Sequence, residues 1–235
     1  MTQHTLQGST ETDVLWFRRR SFLQGAAAWT AGGGFMAAHA QQRSNIVELV
    51  GDAAVNGARL RPDSVIQSGD RIDTGPGSSL VFVIGNTSFQ VRQNSRLAVD
   101  RGATLNTVSV LRLLTGAVAS VWGRGTSRQI VTPTLTAGIR GTGVYTEVRP
   151  EEGFRSYFCN CYGTVVLSAG ESRKTSQAEY HQAFWGEPQA RDGSLLTPAR
   201  AINHTDEELE FLARLVNQRT AWQISGKKGS KDTGY

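Results

Sequence analysis

Between residues 46 and 168 the pattern of apolar and polar positions is that of short β-strands. Segments rich in Val, Ile, Thr, Tyr and Phe recur about every ten residues, and Gly-containing turns separate them. Residues 80–84 are apolar throughout, which is typical of a strand covered on both faces, whereas residues 88–92 alternate. Gly85-Asn86 between them predicts a tight hairpin whose second strand is half exposed. The chain is therefore expected to be an all-β sandwich or barrel.

The pattern changes once, near the C-terminal end. Thr205 precedes Glu208 by three residues, as in a capping box. The apolar residues after it fall on one helical face and predict a single C-terminal amphipathic helix over residues 204–218. Residues 169–203 are interpreted as a strand extension and linker, because the part from residue 186 onward contains two prolines. Residues 226–235 are polar and are predicted to be a disordered tail.

Residues 1–40 have the order of an export signal, with arginines, then a Gly/Ala-rich apolar stretch, then small residues before a cleavage point after Ala40. Arg19, Arg20, Phe22 and Leu23 resemble the twin-arginine motif of a bacterial pathway that exports folded proteins. The apolar stretch is weaker and shorter than the about 20 residues of a spanning helix. We expect an exported, periplasmic protein with no transmembrane segment once the signal is cleaved, and a retained anchor is the alternative.

The charge of the chain is mildly basic. Its 25 basic and 20 acidic residues include three arginines and two acidic residues of the signal, so the mature net charge is +4. The arginines are scattered and the protein is expected outside the cytoplasm, which argues against nucleic acid as a partner. The charge is interpreted as solvated surface, with weak attraction to anionic envelope polymers as the lesser alternative. The sequence has no nucleophile elbow, zinc-protease helix or phosphate-binding glycine loop, and it predicts no enzymatic activity.

Six short motifs occur in the order in which the FecR domain family has them. They are G-D-x-I-x-T-G at 69–75, Q-N-S-R-L at 93–97, L-x-G at 114–116, T-P at 132–133, R-G-T at 140–142 and Y-G-x-V at 162–165. The chain thus resembles that family over about residues 52–168. The matching positions include Gly69, Asp70, Thr74, Gly75, Arg140, Gly141, Thr142 and Gly163. The resemblance implies a jelly-roll-like β-sandwich over residues 46–168.

The family is known from periplasmic regulators that relay an envelope signal to a sigma factor. We expect this chain to lack their cytoplasmic arm, transmembrane helix and receptor-contacting domain. Only the role of the FecR domain itself, recognition in the envelope, is therefore expected of this chain. The expected function is recognition or scaffolding, in which an envelope protein or polymer is bound during envelope signalling. Gly69, Gly75, Gly141 and Gly163 are expected to be turn residues with positive φ rather than ligand contacts.

Two cysteines and two histidines are the candidate chemistry of the mature chain. Cys159 and Cys161 lie two residues apart on a predicted strand, so their side chains share one face. Their Cα atoms would be about 6.6 Å apart, near the upper limit for a disulfide. His181 and His204 follow the predicted sandwich and precede the helix. The four residues make one tetrahedral zinc set if the fold brings them together.

Three interpretations of Cys159 and Cys161 stay open at this point. The thiols are inert core residues, a strained and redox-active disulfide, or metal ligands. The third gives the alternative function, a metal- or redox-dependent periplasmic protein that uses Cys159 and Cys161 with His181 or His204. Zinc is its candidate cofactor.

Overall fold

The computed structural model describes residues 44–125 and 127–229, all within one structural unit, Gln42–Tyr235. The predicted signal peptide, its cleavage point after Ala40, and residues 230–235 of the predicted tail lie outside the described residues. The described part forms fourteen strands and two short helices. The strands are β1 Ile46–Val50, β2 Ala53–Val55, β3 Ala58–Arg59, β4 Arg71–Thr74, β5 Ser79–Ile84, β6 Thr87–Val91, β7 Arg96–Arg101, β8 Val108–Trp122, β9 Arg128–Val131, β10 Thr136–Arg149, β11 Arg155–Ala169, β12 Ser172–Ala178, β13 Gln182–Arg191 and β14 Ser194–Ala199. The helices are α1 Asp206–Leu215 and α2 Ala221–Ser225.

The strands form a two-layer sandwich made from one continuous sheet. Layer A contains β2, β3, β4, β7, β9 and β12, and layer B contains β1, β5, β6, β13 and β14. The long strands β8, β10 and β11 belong to both layers, because each changes its partners halfway along its length. Phe82 and Trp122 of layer B and Leu111 and Ile130 of layer A are wholly buried in the core between the layers. The predicted all-β class is confirmed.

Each long strand bends at a glycine where it passes from one layer to the other. Gly116 in β8, Gly141 in β10 and Gly163 in β11 have φ values of +76°, +60° and +101°. A Cβ atom at Gly163 would lie 2.8 Å from the Cβ atom of Thr142. Positive φ and close approach both favour glycine, and a sharp bend is a typical place for glycine inside a strand. Gly141 and Gly163 have positive φ as expected, but the expectation that they lie in turns is wrong, because both lie inside long strands.

The motif at residues 69–75 also has structural contacts. Gly69 has a φ of +109° as expected, but the expectation of positive φ is wrong for Gly75, where a Cβ atom would make only an ordinary contact with the carbonyl oxygen of Asp52. The Asp70 carboxylate accepts a hydrogen bond from the backbone N–H of Gln67 at 2.7 Å. The Thr74 hydroxyl donates to the backbone carbonyl just after β6 at 2.6 Å. These residues hold turns of layer A together.

The predicted linker at residues 186–203 is wrong, because most of this segment forms β13 and β14. Pro198 lies in β14, which pairs only with β13 among the described strands. Proline is tolerated on such an edge strand because it has no second partner that needs an N–H. Pro198 therefore marks the edge of layer B rather than a break in the sheet.

The helices cover the outer face of layer B. Helix α1 begins with the predicted capping box, in which Thr205 and Glu208 bond to each other's backbone N–H groups. The predicted C-terminal helix is confirmed, and a second short helix, α2, follows it. Leu212 and Trp222 pack in a second buried cluster with side chains of layer B such as Val121. No helix in the described part of the chain has the length and hydropathy to cross a membrane.

Helix α1 explains why the prediction of a half-exposed β6 is wrong. Thr87, Ser88 and Phe89 are buried. The hydroxyl of Ser88 donates a hydrogen bond to the backbone carbonyl of Leu212 in α1 at 2.7 Å. The polar side chain of Ser88 therefore faces a helix and not solvent. The space between layer B and the helices holds the candidate site.

Candidate metal centre

Cys159 and Cys161 lie on β11 at the point where this strand exchanges one neighbour for another. Up to Asn160 it pairs with β13, and from Gly163 it pairs with β12. The turn between β12 and β13 therefore passes beside the cysteines. His181 in this turn donates its backbone N–H to the carbonyl of Cys161 at 3.0 Å. The exchange of partners thus places the first histidine beside both thiols.

His204 reaches the same place from the end of β14. The hydroxyl of Tyr157 donates to the carbonyl of Arg200 at 2.9 Å and accepts from the N–H of Ile202 at 3.1 Å. Asn203 takes a left-handed conformation with a φ of +59°, which asparagine adopts more readily than most residues. These contacts fix the segment before α1 and direct His204 toward the cysteines.

The structure brings the four predicted donor residues into one buried cluster. Their donor atoms all lie within 4.8 Å of one another. The sulfur atoms are 3.9 Å apart, and the inward nitrogen atoms, Nδ1 of His181 and Nε2 of His204, are 3.0 Å apart. Cys159 Sγ lies 3.5 Å from His181 Nδ1, and Cys161 Sγ lies 3.5 Å from His204 Nε2. Both cysteines are wholly buried, and the histidines are 3% and 8% exposed.

These separations are those of a tetrahedral zinc site. With Zn–S bonds of about 2.3 Å and Zn–N bonds of about 2.0–2.1 Å, tetrahedral geometry separates two sulfurs by about 3.8 Å, sulfur and nitrogen by about 3.5 Å, and two nitrogens by about 3.3 Å. The observed S–S, N–N and two of the S–N separations, 3.9, 3.0 and 3.5 Å, agree with these values within about 0.3 Å, and the other two S–N separations are at most 4.8 Å. One tetrahedral ion therefore fits between the four side chains once the more distant sulfur and nitrogen atoms close by up to about 1.3 Å.

The outer nitrogen of each histidine has a hydrogen-bond acceptor. His181 Nε2–H donates to the Asp206 carboxylate at 3.1 Å, and His204 Nδ1–H donates to the carbonyl of Ile202 at 2.6 Å. These partners assign the tautomers, because a carboxylate and a carbonyl can only accept. Both inward nitrogens then present lone pairs to each other at 3.0 Å. A bound cation would remove this repulsion, as in the carboxylate–histidine–zinc arrangement.

Asp206 is a candidate site residue that sequence reasoning missed. It is the first residue of α1, and its side chain is 7% exposed. Besides His181, its carboxylate accepts from the hydroxyl of Tyr180 at 3.0 Å and pairs with the ammonium group of Lys228 at 2.9 Å. In the sequence Asp206 looks like one more acidic residue in the first turn of a helix. Its role depends on a contact with a residue 25 positions earlier, for which the sequence has no local signal.

The surroundings favour the thiolate form that a metal needs. Burial acts to raise the pKa of the Cys159 thiol, but hydrogen bonding within the cluster, above all the bond donated by Cys161, outweighs burial and holds this pKa well below its usual 9.0. Metals bind the thiolate and not the thiol. The geometry therefore prepares Cys159 as a ligand before any ion arrives.

Aromatic rings enclose the histidines. Tyr145 stacks on His204 with ring centres 4.7 Å apart, and Trp222 stacks on His181 with ring centres 5.4 Å apart. The Tyr145 hydroxyl donates to Glu147 at 2.9 Å, so its ring is fixed in place. These contacts hold the imidazole rings in one orientation and exclude water from the donors.

The other two interpretations of the cysteines agree less well with this geometry. A sulfur separation of 3.9 Å is far from the about 2.0 Å of a disulfide bond. Inert thiols could donate hydrogen bonds to the two imidazole nitrogens at 3.5 Å, but they would leave those nitrogens facing each other at 3.0 Å with no proton or ion between them. The arrangement favours metal ligation.

No known family model matches this sequence, and no curated protein matches it. Two crystal structures of a candidate anti-sigma factor from Parabacteroides distasonis are similar in part, with TM-scores of 0.43 and 0.42 and sequence identities of 10% and 12%. In both comparisons the similarity covers 50% of this chain and 54% of that chain. The chain thus matches about half the length of these structures.

Proposed function

We propose that this protein binds one zinc ion and that the ion is structural. The observation that carries the proposal is the cluster of four buried donors at tetrahedral separations. A catalytic zinc site keeps one position open for water or substrate, whereas four protein ligands close the coordination sphere. The proposal therefore agrees with the expectation that the chain is not an enzyme.

The ion would join three parts of the chain that are distant in sequence. Cys159 and Cys161 belong to β11, His181 to the turn between β12 and β13, and His204 to the segment that enters α1. The binding free energy of such a site contributes directly to folding. Zinc would thus hold the helices against layer B and keep the edge of the sandwich in one conformation.

A second proposed function concerns the sandwich itself, as a recognition domain for an envelope protein or polymer in an exported protein. An open cleft of about 750 Å³ beside the metal centre supports it. Arg92, Asn94, Glu147 and Arg149 line this cleft, which has the size of typical ligand sites. In this proposal zinc shapes one wall of the cleft, because Asn203, next to His204, also lines it.

The experiment that tests the zinc proposal is mass spectrometry of the full-length product recovered from the envelope, under native and denaturing conditions. We expect one zinc per chain in the native spectrum and none in the denatured one. Replacement by Co²⁺ should then give the visible absorption of a tetrahedral ion with thiolate ligands, and Cys161→Ser should abolish it. Glu207→Gln is a matched control, since Glu207 is exposed and belongs to the same turn as Asp206. A metal-free native mass together with no tetrahedral cobalt spectrum would refute the proposal.

A further inference from the structure

The donor atoms of the metal centre are closed off by the C-terminal cap, which we define as residues 200–229. The cysteines are wholly buried. Leu209, Leu212 and Trp222 of the cap pack in the same buried cluster as Cys159 and Cys161. No ion from solvent reaches the thiols while these side chains are in place.

The segment before α1 and the carboxylate of Asp206 make several hydrogen bonds to the sandwich, and α1 makes further polar contacts with layer B. Glu208 pairs with Arg92 at 2.6 Å, and Ser88 bonds to the carbonyl of Leu212 at 2.7 Å. The pair of Lys228 and Asp206, 2.9 Å apart, lies within the cap. Helices of ten and five residues are too short to be stable alone in water. The cap therefore keeps its structure only while it is docked on layer B.

One metal ligand belongs to the cap and three belong to the sandwich. His204 directly precedes the capping residue of α1, whereas the other donors lie on β11 and in the turn before β13. Docking of the cap and completion of the coordination sphere are thus the same event. Local opening of a small peripheral unit costs less than global unfolding, so the cap can open while the sandwich stays folded.

We propose that the cap controls entry and exit of the metal. The ion binds before the cap has docked, and it leaves only when the cap opens. The rate of zinc release is then set by the packing of the cap on layer B. This inference rests on the proposed zinc function.

The test is the rate at which zinc passes from the full-length protein to excess chromogenic chelator. Leu212→Ala removes a wholly buried side chain of the cap that is not a ligand. Leu111→Ala removes an equally buried leucine from the core between the layers and serves as the matched control. We expect release to be at least about tenfold faster in Leu212→Ala. We expect it to be within about twofold of wild type in Leu111→Ala.

A milder variant keeps the test valid if Leu212→Ala does not fold. Glu208→Gln breaks the ion pair with Arg92 without removing core volume, and it should give a smaller acceleration. Alkylation of Cys159 and Cys161 in metal-free protein is a second readout, since an opening cap exposes both thiols whether or not zinc is present. Thiol labelling should be faster in both cap variants than in Leu111→Ala.

The possible failures can be told apart. Protein that never binds zinc refutes the proposed function and with it this inference. If the protein binds one zinc but releases it equally fast in wild type and in both cap variants, control by the cap is refuted and the proposed zinc function is not. Equal acceleration in Leu212→Ala and Leu111→Ala would show release through global unfolding and would also overturn the inference.

Discussion

Replacing Asp206 by asparagine tests the hydrogen bond that orients His181. Asparagine keeps the size of the side chain and can still accept a hydrogen bond from Nε2–H of His181, but it lacks the negative charge. The carboxylate of Asp206 also forms an ion pair with the ammonium group of Lys228, with 2.9 Å between oxygen and nitrogen. We expect His181 to be a weaker and less well oriented ligand in Asp206→Asn, and zinc affinity to fall.

The size of the effect follows from the position of Asp206 behind a ligand. Loss of such a partner weakens metal binding by about 10–100-fold. With free zinc at about 100 times the wild-type Kd, zinc contributes about 2.7 kcal/mol to the free energy of unfolding. If binding is about thirtyfold weaker, about 0.9 kcal/mol is left. The difference of about 2 kcal/mol lowers Tm by about 4–8 °C in a chain of this size.

Competition with a chelator of known affinity gives the Kd for zinc. Calorimetry with and without zinc gives the thermal stability of the zinc-bound and the metal-free protein. Glu207→Gln is again the control, because it removes a carboxylate from the same helical turn without touching His181. Both variants lose the favourable interaction with the helix dipole, about 0.3–1 kcal/mol. A Kd for Asp206→Asn within about threefold of wild type would refute the role of Asp206, as would an equal fall in Tm in metal-free protein.

Three further predictions concern the metal ligand Cys161, the ion pair of Glu187 and the bend at Gly163. Cys161→Ser should lose bound zinc and have a lower Tm, as measured by native mass spectrometry and calorimetry, and retained stoichiometry would contradict ligation. Burial acts to raise the pKa of Glu187, but hydrogen bonds from Arg155 and Thr197 hold it below its usual 4.5. Because the folded pKa is lowered, this stabilisation is present above pH 4.5 and is lost as pH falls through the folded pKa. In urea unfolding, Glu187→Gln should therefore cost about 1.5–3 kcal/mol at neutral pH and almost nothing in acid, and a constant cost would contradict the pairing. Gly163→Ala should cost about 1–3 kcal/mol in urea unfolding without changing zinc stoichiometry, and loss of zinc would argue against a purely structural bend.

The sequence predicted the elements whose residues carry a local signal. Alternation and turn residues indicated the strands, and the capping box at Thr205 indicated α1. Two wrong predictions, the linker and the half-exposed β6, involve contacts that are far apart in the chain. Pro198 is compatible with a strand only because β14 is at an edge, and Ser88 is buried only because α1, 124 residues later, covers it.

In the candidate site, too, the residues with a local signal could be predicted and the contacts between distant residues could not. The choice of Cys159, Cys161, His181 and His204 followed from residue chemistry, since they are the only cysteines and histidines after residue 40 of the sequence. Their convergence depends on the exchange of partners along β11, which no local pattern encodes. The role of Asp206 depends in turn on that convergence, so it could be recognised only in the folded chain.

The order of the ligands along the chain has a consequence for synthesis. His204 lies 43 residues after Cys161, beyond every strand of the sandwich. During translation both thiols are therefore made, and β10 and β11 can pair, well before the last ligand exists. A nascent chain carries both thiols uncovered throughout this interval, so the proposed zinc site would be completed best in a reducing compartment.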